Sequence, residues 1–146
     1  MIWLLIDGHN VIFHTPELAQ KYKKHPGAVL ETLARHAQQL GDLKSWKVVL
    51  VFDGNSPQSS ATARTQSVEI LFCNRNQSAD AIIEKLSHKI PPQELIYIVT
   101  ADQALAAAVH SPRTYIFSVE WFLNEVEAAQ SVLNERLLDI SRKAKW

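Results

Sequence analysis

The sequence predicts an α/β domain built on a central parallel sheet of about five strands, and two patterns carry that expectation. Short apolar, β-branched runs recur at residues 2–6, 47–52, 68–72, 95–99 and 114–117, each bounded by turn or cap residues. A run that is apolar nearly throughout reads as a strand covered on both faces, the environment of a parallel strand. Between these runs apolar residues return at helical spacing, and strands that alternate with helices assemble into a parallel sheet. The whole chain of 146 residues, 47% hydrophobic and 21% charged, has the size and composition of one globular domain spanning 1–146. It shows neither an internal repeat nor a domain linker.

Taken in order, the first run leads into Asp7-Gly8-His9-Asn10. Lys21, Lys23, Lys24 and His25 form a basic cluster near the end of the first helical segment. Leu30, Leu33, Ala34, Ala37 and Leu40 then mark one face of a helix, with Gly41 as its expected stop. After the second run, the stretch 53–66 is rich in Ser, Thr, Asn and Gln and reads as a long loop. Cys73 closes the third run as a small buried hydrophobe. Ser78 is a good cap for a helix carrying Ala79, Ile82, Ile83 and Leu86. Thr100-Ala101-Asp102-Gln103 fits a capping box that opens a helix with Leu105 and Val109. Ser118 caps a helix with Phe122, Val126 and Ala129 on one face, and Leu133, Leu137 and Ile140 form a last amphipathic helix at about 131–142. That last stripe can pack on its own sheet or on another subunit of a homo-oligomer, and its own sheet is the expectation.

Composition narrows the function. Fifteen Lys and Arg balance fifteen Asp and Glu, whereas a protein that coats nucleic acid non-specifically is strongly basic. A single cysteine allows neither an intramolecular disulfide nor a zinc-ligand pattern. The apolar start before Asp7 is too short for a signal peptide, no stretch is long enough for a membrane helix, and the expected compartment is a reducing cytoplasm. The chain contains no GxxxxGK[ST] phosphate loop, no GxGxxG and no GxSxG elbow. An aspartyl-nucleophile phosphatase would carry a second Asp two residues after Asp7, and position 9 is His.

Ligands of parallel α/β sheets bind at the carboxyl ends of the strands. Asp7, Asp53 and Asp102 follow the first, second and fourth runs, and Asp80 lies in the first turn of the helix after the third. Each has a purely structural alternative: Asp-Gly closes turns, and a carboxylate suits the first turn of a helix. Those alternatives do not explain why four carboxylates converge where no Lys or Arg directly follows a strand. Converging carboxylates repel one another and stay ionised together only around a cation. Oxygen ligands without clustered His or Cys favour Mg²⁺ or Mn²⁺ over zinc. Of the six histidines, His9 is the one expected at this edge, placed to meet a phosphate or a base, and the others read as surface or packing residues.

These residues also carry a resemblance. Leu4-Leu5-Ile6-Asp7-Gly8-His9-Asn10-Val11-Ile12, Val49-Leu50-Val51-Phe52-Asp53, Ser78-Ala79-Asp80 with Glu84, and Val99-Thr100-Ala101-Asp102 resemble, in order and spacing, the motifs of NYN-domain nucleases of the PIN-like superfamily. His14-Thr15-Pro16-Glu17-Leu18 is similar to the bacterial YacP-like branch. The resemblance covers residues 1 to about 125. It implies a three-layer α/β/α fold and a metal-dependent ribonuclease, with RNA as the partner. Asp7, Asp80 and Asp102 match the family's acidic metal site, Asp53 a further acid, and Asn10 the polar residue that supports the first. The stretch Asn76-Gln77-Ser78-Ala79 departs from the Thr and Glu that many YacP-like members carry there, so no substrate preference is carried across.

The reaction expected is hydrolysis of RNA phosphodiester bonds, endonucleolytic, with Mg²⁺ or Mn²⁺ at Asp7, Asp80 and Asp102 and with Asp53 and Asn10 in the catalytic set. His9, Arg64, Arg75 and Thr100 are the candidate substrate contacts. Two rivals use the same residues: an RNA- or partner-binding module with weak catalysis, and a small-molecule phosphoesterase. No membrane partner is expected, and the sequence specifies no protein partner.

Overall fold

The computed structural model describes residues 1–54, 68–74 and 76–144. Strands β1 (Ile2–Asp7), β2 (Lys47–Phe52), β3 (Val68–Phe72), β4 (Leu95–Val99) and β5 (Thr114–Phe117) form one sheet in the order β3-β2-β1-β4-β5. Every neighbouring pair is parallel. The helices are α1 (Gly8–Phe13), α2 (Pro16–Lys24), α3 (Pro26–Lys44), α4 (Ala79–Lys89), α5 (Gln103–Ala108) and α6 (Val119–Lys143). The chain winds outward from β1 through β2 to β3, then returns to the other side of β1 for β4 and β5. The order of strands therefore reverses between β1 and β4, where such sheets open a crevice at their carboxyl ends.

Alternation along the strands feeds two cores. Leu4, Ile6, Leu50 and Phe52 pack with Leu33 and Leu40 of α3 and with Phe122 and Val126 of α6. On the opposite face Leu5, Val49, Val51, Ile96 and Ile98 pack with Ile83 of α4 and Leu105 of α5. Successive side chains point to opposite faces, so runs apolar at every position can satisfy both layers. This is the expected α/β/α domain. The exception is β5, an edge strand paired only with β4, where Tyr115 and Ile116 remain exposed despite their apolar character.

Three element boundaries differ from expectation. Gly41 is buried within α3, which runs on to Lys44 and ends at Ser45 in the left-handed region (φ 57°). The helix capped by Ser118 and the separate helix expected at 131–142 are one 25-residue helix, α6, because no breaker interrupts the stripe from Phe122 to Ile140. A helix of that length reaches about 37 Å, whereas strands of this sheet span about 13–20 Å. Its end therefore overshoots, and Leu137, Leu138 and Ile140 stay exposed instead of packing on the sheet. Finally, α5 is capped by Asp102, whose side chain accepts from the amides of Ala104 and Leu105, and not by Thr100.

The backbone passes very close to a neighbouring ring where β1 enters α1. A Cβ on Gly8 would press into the buried Phe52 ring, overlapping Cε1 and lying 2.5 Å from Cδ1 and 3.0 Å from the Val51 carbonyl oxygen. Phe52 has no room to yield, being buried and stacked on Phe72 at 5.5 Å between centroids. Glycine thus lets the exits of β1 and β2, with Asp7 and Asp53, come together. Gly8→Ala is expected to destabilise the protein by about 1–3 kcal/mol, because the overpacking outweighs the helix-propensity gain of about 0.5–1 kcal/mol. Thermal melting checks this, each kcal/mol lowering Tm by about 2–4 °C. An unchanged or raised Tm would contradict it.

Candidate functional site

All four aspartates predicted at the sheet edge meet there, on the wall of one open pocket of about 510 Å³. His9, Asn10, Phe13, His14, Ser78 and Ala79 complete the lining, which contains neither Lys nor Arg among the described residues.

Each carboxylate is placed by a strand exit and by backbone amides. Asp7 ends β1, is buried, and caps α1 by accepting the Asn10 amide at 3.3 Å. Asp53 follows β2; its Oδ1 accepts the Ala79 amide at 2.7 Å, which fixes the start of α4 against the end of β2. Asp80 is the second residue of α4, whose first turn is capped by Ser78 Oγ accepting the Ala81 amide at 3.1 Å. Asp102 accepts the amides of Ala104 at 2.8 Å and Leu105 at 3.2 Å. Asn10 draws this corner in, its Oδ1 accepting the Ala101 amide at 2.7 Å.

The other candidates behave differently. His9 lies on the wall, but its Nδ1 accepts the Asp53 amide at 2.8 Å. Nδ1 is therefore unprotonated, and in the neutral ring Nε2 carries the hydrogen that reaches Tyr22 Oη at 3.3 Å. Burial lowers the His9 pKa from its ordinary value against the opposing charge of Asp53. Both nitrogens are occupied within the protein, and Phe13 stacks on the ring, so in this arrangement His9 is a residue that holds the Asp53 turn and the neighbouring rings in place. Thr100 is buried, and its Oγ1 accepts the Asp102 amide at 3.0 Å and so shapes the turn. Arg64 and Arg75, and the expected loop beyond Gly54, lie outside the described residues. Lys21, Lys23 and Lys24 occupy the last turn of α2 as an exposed cluster, where cations suit a helix C-terminus.

Phe13 and His14 are wall residues that the sequence reading did not single out. They lie four residues after His9 and Asn10, a spacing that puts each pair on one helix face. A helix read directly after Gly8 would have found them.

The electrostatics follow from the crowding. Burial raises the Asp7 pKa, with the charges of Asp53 and Asp102 adding to it and the Asn10 amide opposing. Asp80 is pushed up to about 7, first by burial, then by its hydrogen bond with Asp102 and the negative charges of Asp102, Asp7 and Asp53. The same hydrogen bond, with the Leu105 and Ala104 amides, lowers Asp102. A hydrogen bond from Asp80 lowers both Asp7 and Asp102, so of the three it is Asp80 that is favoured to carry the proton. Cys73, buried beneath the site, is raised to about 11 by burial and by the charges of Asp53 and Asp7, as an inert core thiol.

Among the described residues no three His, Cys, Asp or Glu side chains form a ready-made metal cage. The donor chemistry nevertheless suits a hard divalent cation: carboxylate oxygens, no competing cation in the wall, and a carboxyl that holds a proton near neutrality for want of one. Without metal, ionised Asp80 opposes folding. Its folded pKa lies above the unfolded one, so the penalty is absent below about pH 4 and complete above about pH 7. With chelator present, Asp80→Asn is expected to melt higher than wild type at pH 8 by about 1 kcal/mol, a figure reduced for solvent screening of a half-exposed carboxyl. The difference closes near pH 4. An equal or lower Tm for the variant at pH 8 would contradict the repulsion.

The comparisons agree with this architecture. The family model for the YacP-like NYN domain matches residues 4–146. YacP of Bacillus subtilis (strain 168), itself described as uncharacterized, is 27% identical over 146 residues, covering 94% of this chain and 82% of that protein. The crystal structure of Rae1 (YacP) from Bacillus subtilis superposes with a TM-score of 0.86 at 24% identity, over 98% of this chain and 83% of that one. A tryptophan-to-leucine mutant of the same protein gives 0.82 at 24% identity, over 99% and 86%. At that identity the structural likeness establishes the fold. NYN domains are nuclease-type domains, and, with its match to the family extending over residues 4–146, this chain belongs to the YacP-like NYN domain family.

Proposed function

We propose that this chain is a metal-dependent ribonuclease that hydrolyses RNA phosphodiester bonds within the chain. The observation that supports it best is the convergence of Asp7, Asp53, Asp80 and Asp102 on one open pocket whose described wall has no Lys or Arg. Such a wall repels a phosphodiester unless a cation intervenes, and it suits Mg²⁺ or Mn²⁺ held by Asp7, Asp80 and Asp102. When bound, the ion lowers the pKa of the attacking water and offsets charge on the phosphate.

The remaining work falls to the protein. Asp53 holds the first amide of α4 through Oδ1 and so fixes Asp80, and as a residue of the pocket wall it would orient water there. Asn10 ties the Asp102 turn to α1, which keeps Asp102 facing Asp7 across the β1–β4 crevice. The open form of the pocket suits a polymer that passes through, and that favours cleavage inside the RNA chain.

The test is cleavage of structured and unstructured RNA with Mn²⁺, Mg²⁺ or EDTA, beside Asp7→Asn and Asp80→Asn. Wild type is expected to cut with either metal and not in EDTA. Each variant should lose activity by about 100-fold or more, since even partners behind metal ligands are worth about 10–100-fold. Cleavage retained in both variants would refute the site. Activity confined to mononucleotides or chromogenic phosphodiesters would make the protein a small-molecule phosphoesterase. No cleavage and no effect of Mn²⁺ on Tm would make it a binding module.

A further inference from the structure

Phe13 stands out among the pocket residues. Its ring is 60% exposed, and it is the one exposed large hydrophobic residue on the carboxylate wall among the described residues. The others lie at Met1, along Leu95, Tyr115 and Ile116, and on the overshooting end of α6.

The ring is not loose. It stacks on His9 with centroids 5.7 Å apart and 23° between planes, and meets Tyr22 edge-on at 6.0 Å. His9 is itself fixed by the Asp53 amide and the Tyr22 hydroxyl, and it stands edge-on to buried Phe52 at 5.6 Å. The result is a supported flat apolar surface beside four carboxylates. A ring so placed is well formed to receive another flat ring.

The charge of the site adds a second reason. Nucleic-acid affinity ordinarily comes from Lys and Arg on phosphates, yet the chain has no net charge and the described wall has no Lys or Arg. Beside a wall of carboxylates, aromatic stacking on bases is a source of affinity for unpaired strands that needs no Lys or Arg. Only an unpaired base can leave its own stack to lie on the ring.

From this, and resting on the ribonuclease reading, we infer that Phe13 is a base-stacking subsite for an unpaired nucleotide near the scissile phosphate. The site accordingly selects single-stranded RNA over duplex. Because every base has a π-face, the selection tolerates sequence.

The experiment measures, with Mg²⁺ present, binding of a labelled single-stranded RNA by the Asp80→Asn protein, which keeps the RNA intact, with and without Phe13→Leu or Phe13→Trp. Leu keeps the apolar volume and loses the π-face. It is expected to weaken binding by about 10-fold while lowering Tm only by the few degrees that the lost ring contacts imply, and Trp is expected to restore binding. Abasic substitutions walked along the RNA should find one position that costs the Phe13 protein about as much and costs the Leu variant nothing further. Wild-type cleavage is followed in parallel. If Leu binds as well as Phe, or if the abasic and Leu effects add, the stacking subsite is refuted while cleavage by wild type leaves the nuclease reading in place. If Phe13-dependent binding persists and wild type never cleaves, the subsite stands and the nuclease reading falls. If wild type, with Mg²⁺ or Mn²⁺ present, neither binds nor cuts RNA, both fall.

Discussion

The repulsion among carboxylates at the sheet's carboxyl edge is the constraint around which this structure is arranged. Four carboxyl groups are held on the wall of one pocket. Three are restrained by backbone amides: Asp7 by Asn10, Asp53 by Ala79, and Asp102 by Ala104 and Leu105. Asp80 has the least local support, and its carboxyl is the one pushed up to about 7. The excess negative charge is thus concentrated on one side chain, where a proton or a cation can relieve it. Sites built for chemistry often carry such unfavourable arrangements, supported by stability elsewhere in the fold.

Helix α1 gathers the support. In six residues it supplies the amide that holds Asp7, the imidazole that receives the Asp53 amide, and the Asn10 side chain that receives the Ala101 amide. Those bonds reach β1, the end of β2 and the end of β4. They depend on Gly8, whose missing side chain lets α1 leave the sheet directly against Phe52. The same short helix ends in Phe13 and His14 on the pocket wall, so one element both fixes the carboxylates and shapes what lies beside them.

Much of this was legible in the sequence, for physical reasons. Strands covered on both faces are apolar nearly throughout, which is why β2, β3 and β4 coincide with their apolar runs and β1 extends only one residue further to Asp7; β5 coincides with its run at 114–117 although two of its residues are exposed. In a parallel sheet the residue after a strand is at the functional edge, which is why Asp7, Asp53 and Asp102 could be placed without coordinates. What escaped is short-range or competitive. Val11 and Ile12 of α1 offer too few turns for a helical period, and so Phe13 and His14 were missed. Thr100 and Gln103 satisfy the spacing of a capping box, but Asp102 is the better acceptor one step before the helix and takes the cap. Leu133, Leu137 and Ile140 have the periodicity of a buried face, yet periodicity does not reveal that α6 outruns the sheet.

The central claim is that crowded carboxylates store a need for positive charge at Asp80. Carbon-detected NMR of the aspartate carboxyl groups, titrated with pH in chelator and again with Mg²⁺, tests it directly. The account predicts one aspartate, assigned to Asp80, titrating near pH 7 without metal and shifting into or below the ordinary range of about 4 when Mg²⁺ is added. Four aspartates that all titrate near or below about 4 in chelator, with no response to Mg²⁺, would contradict it.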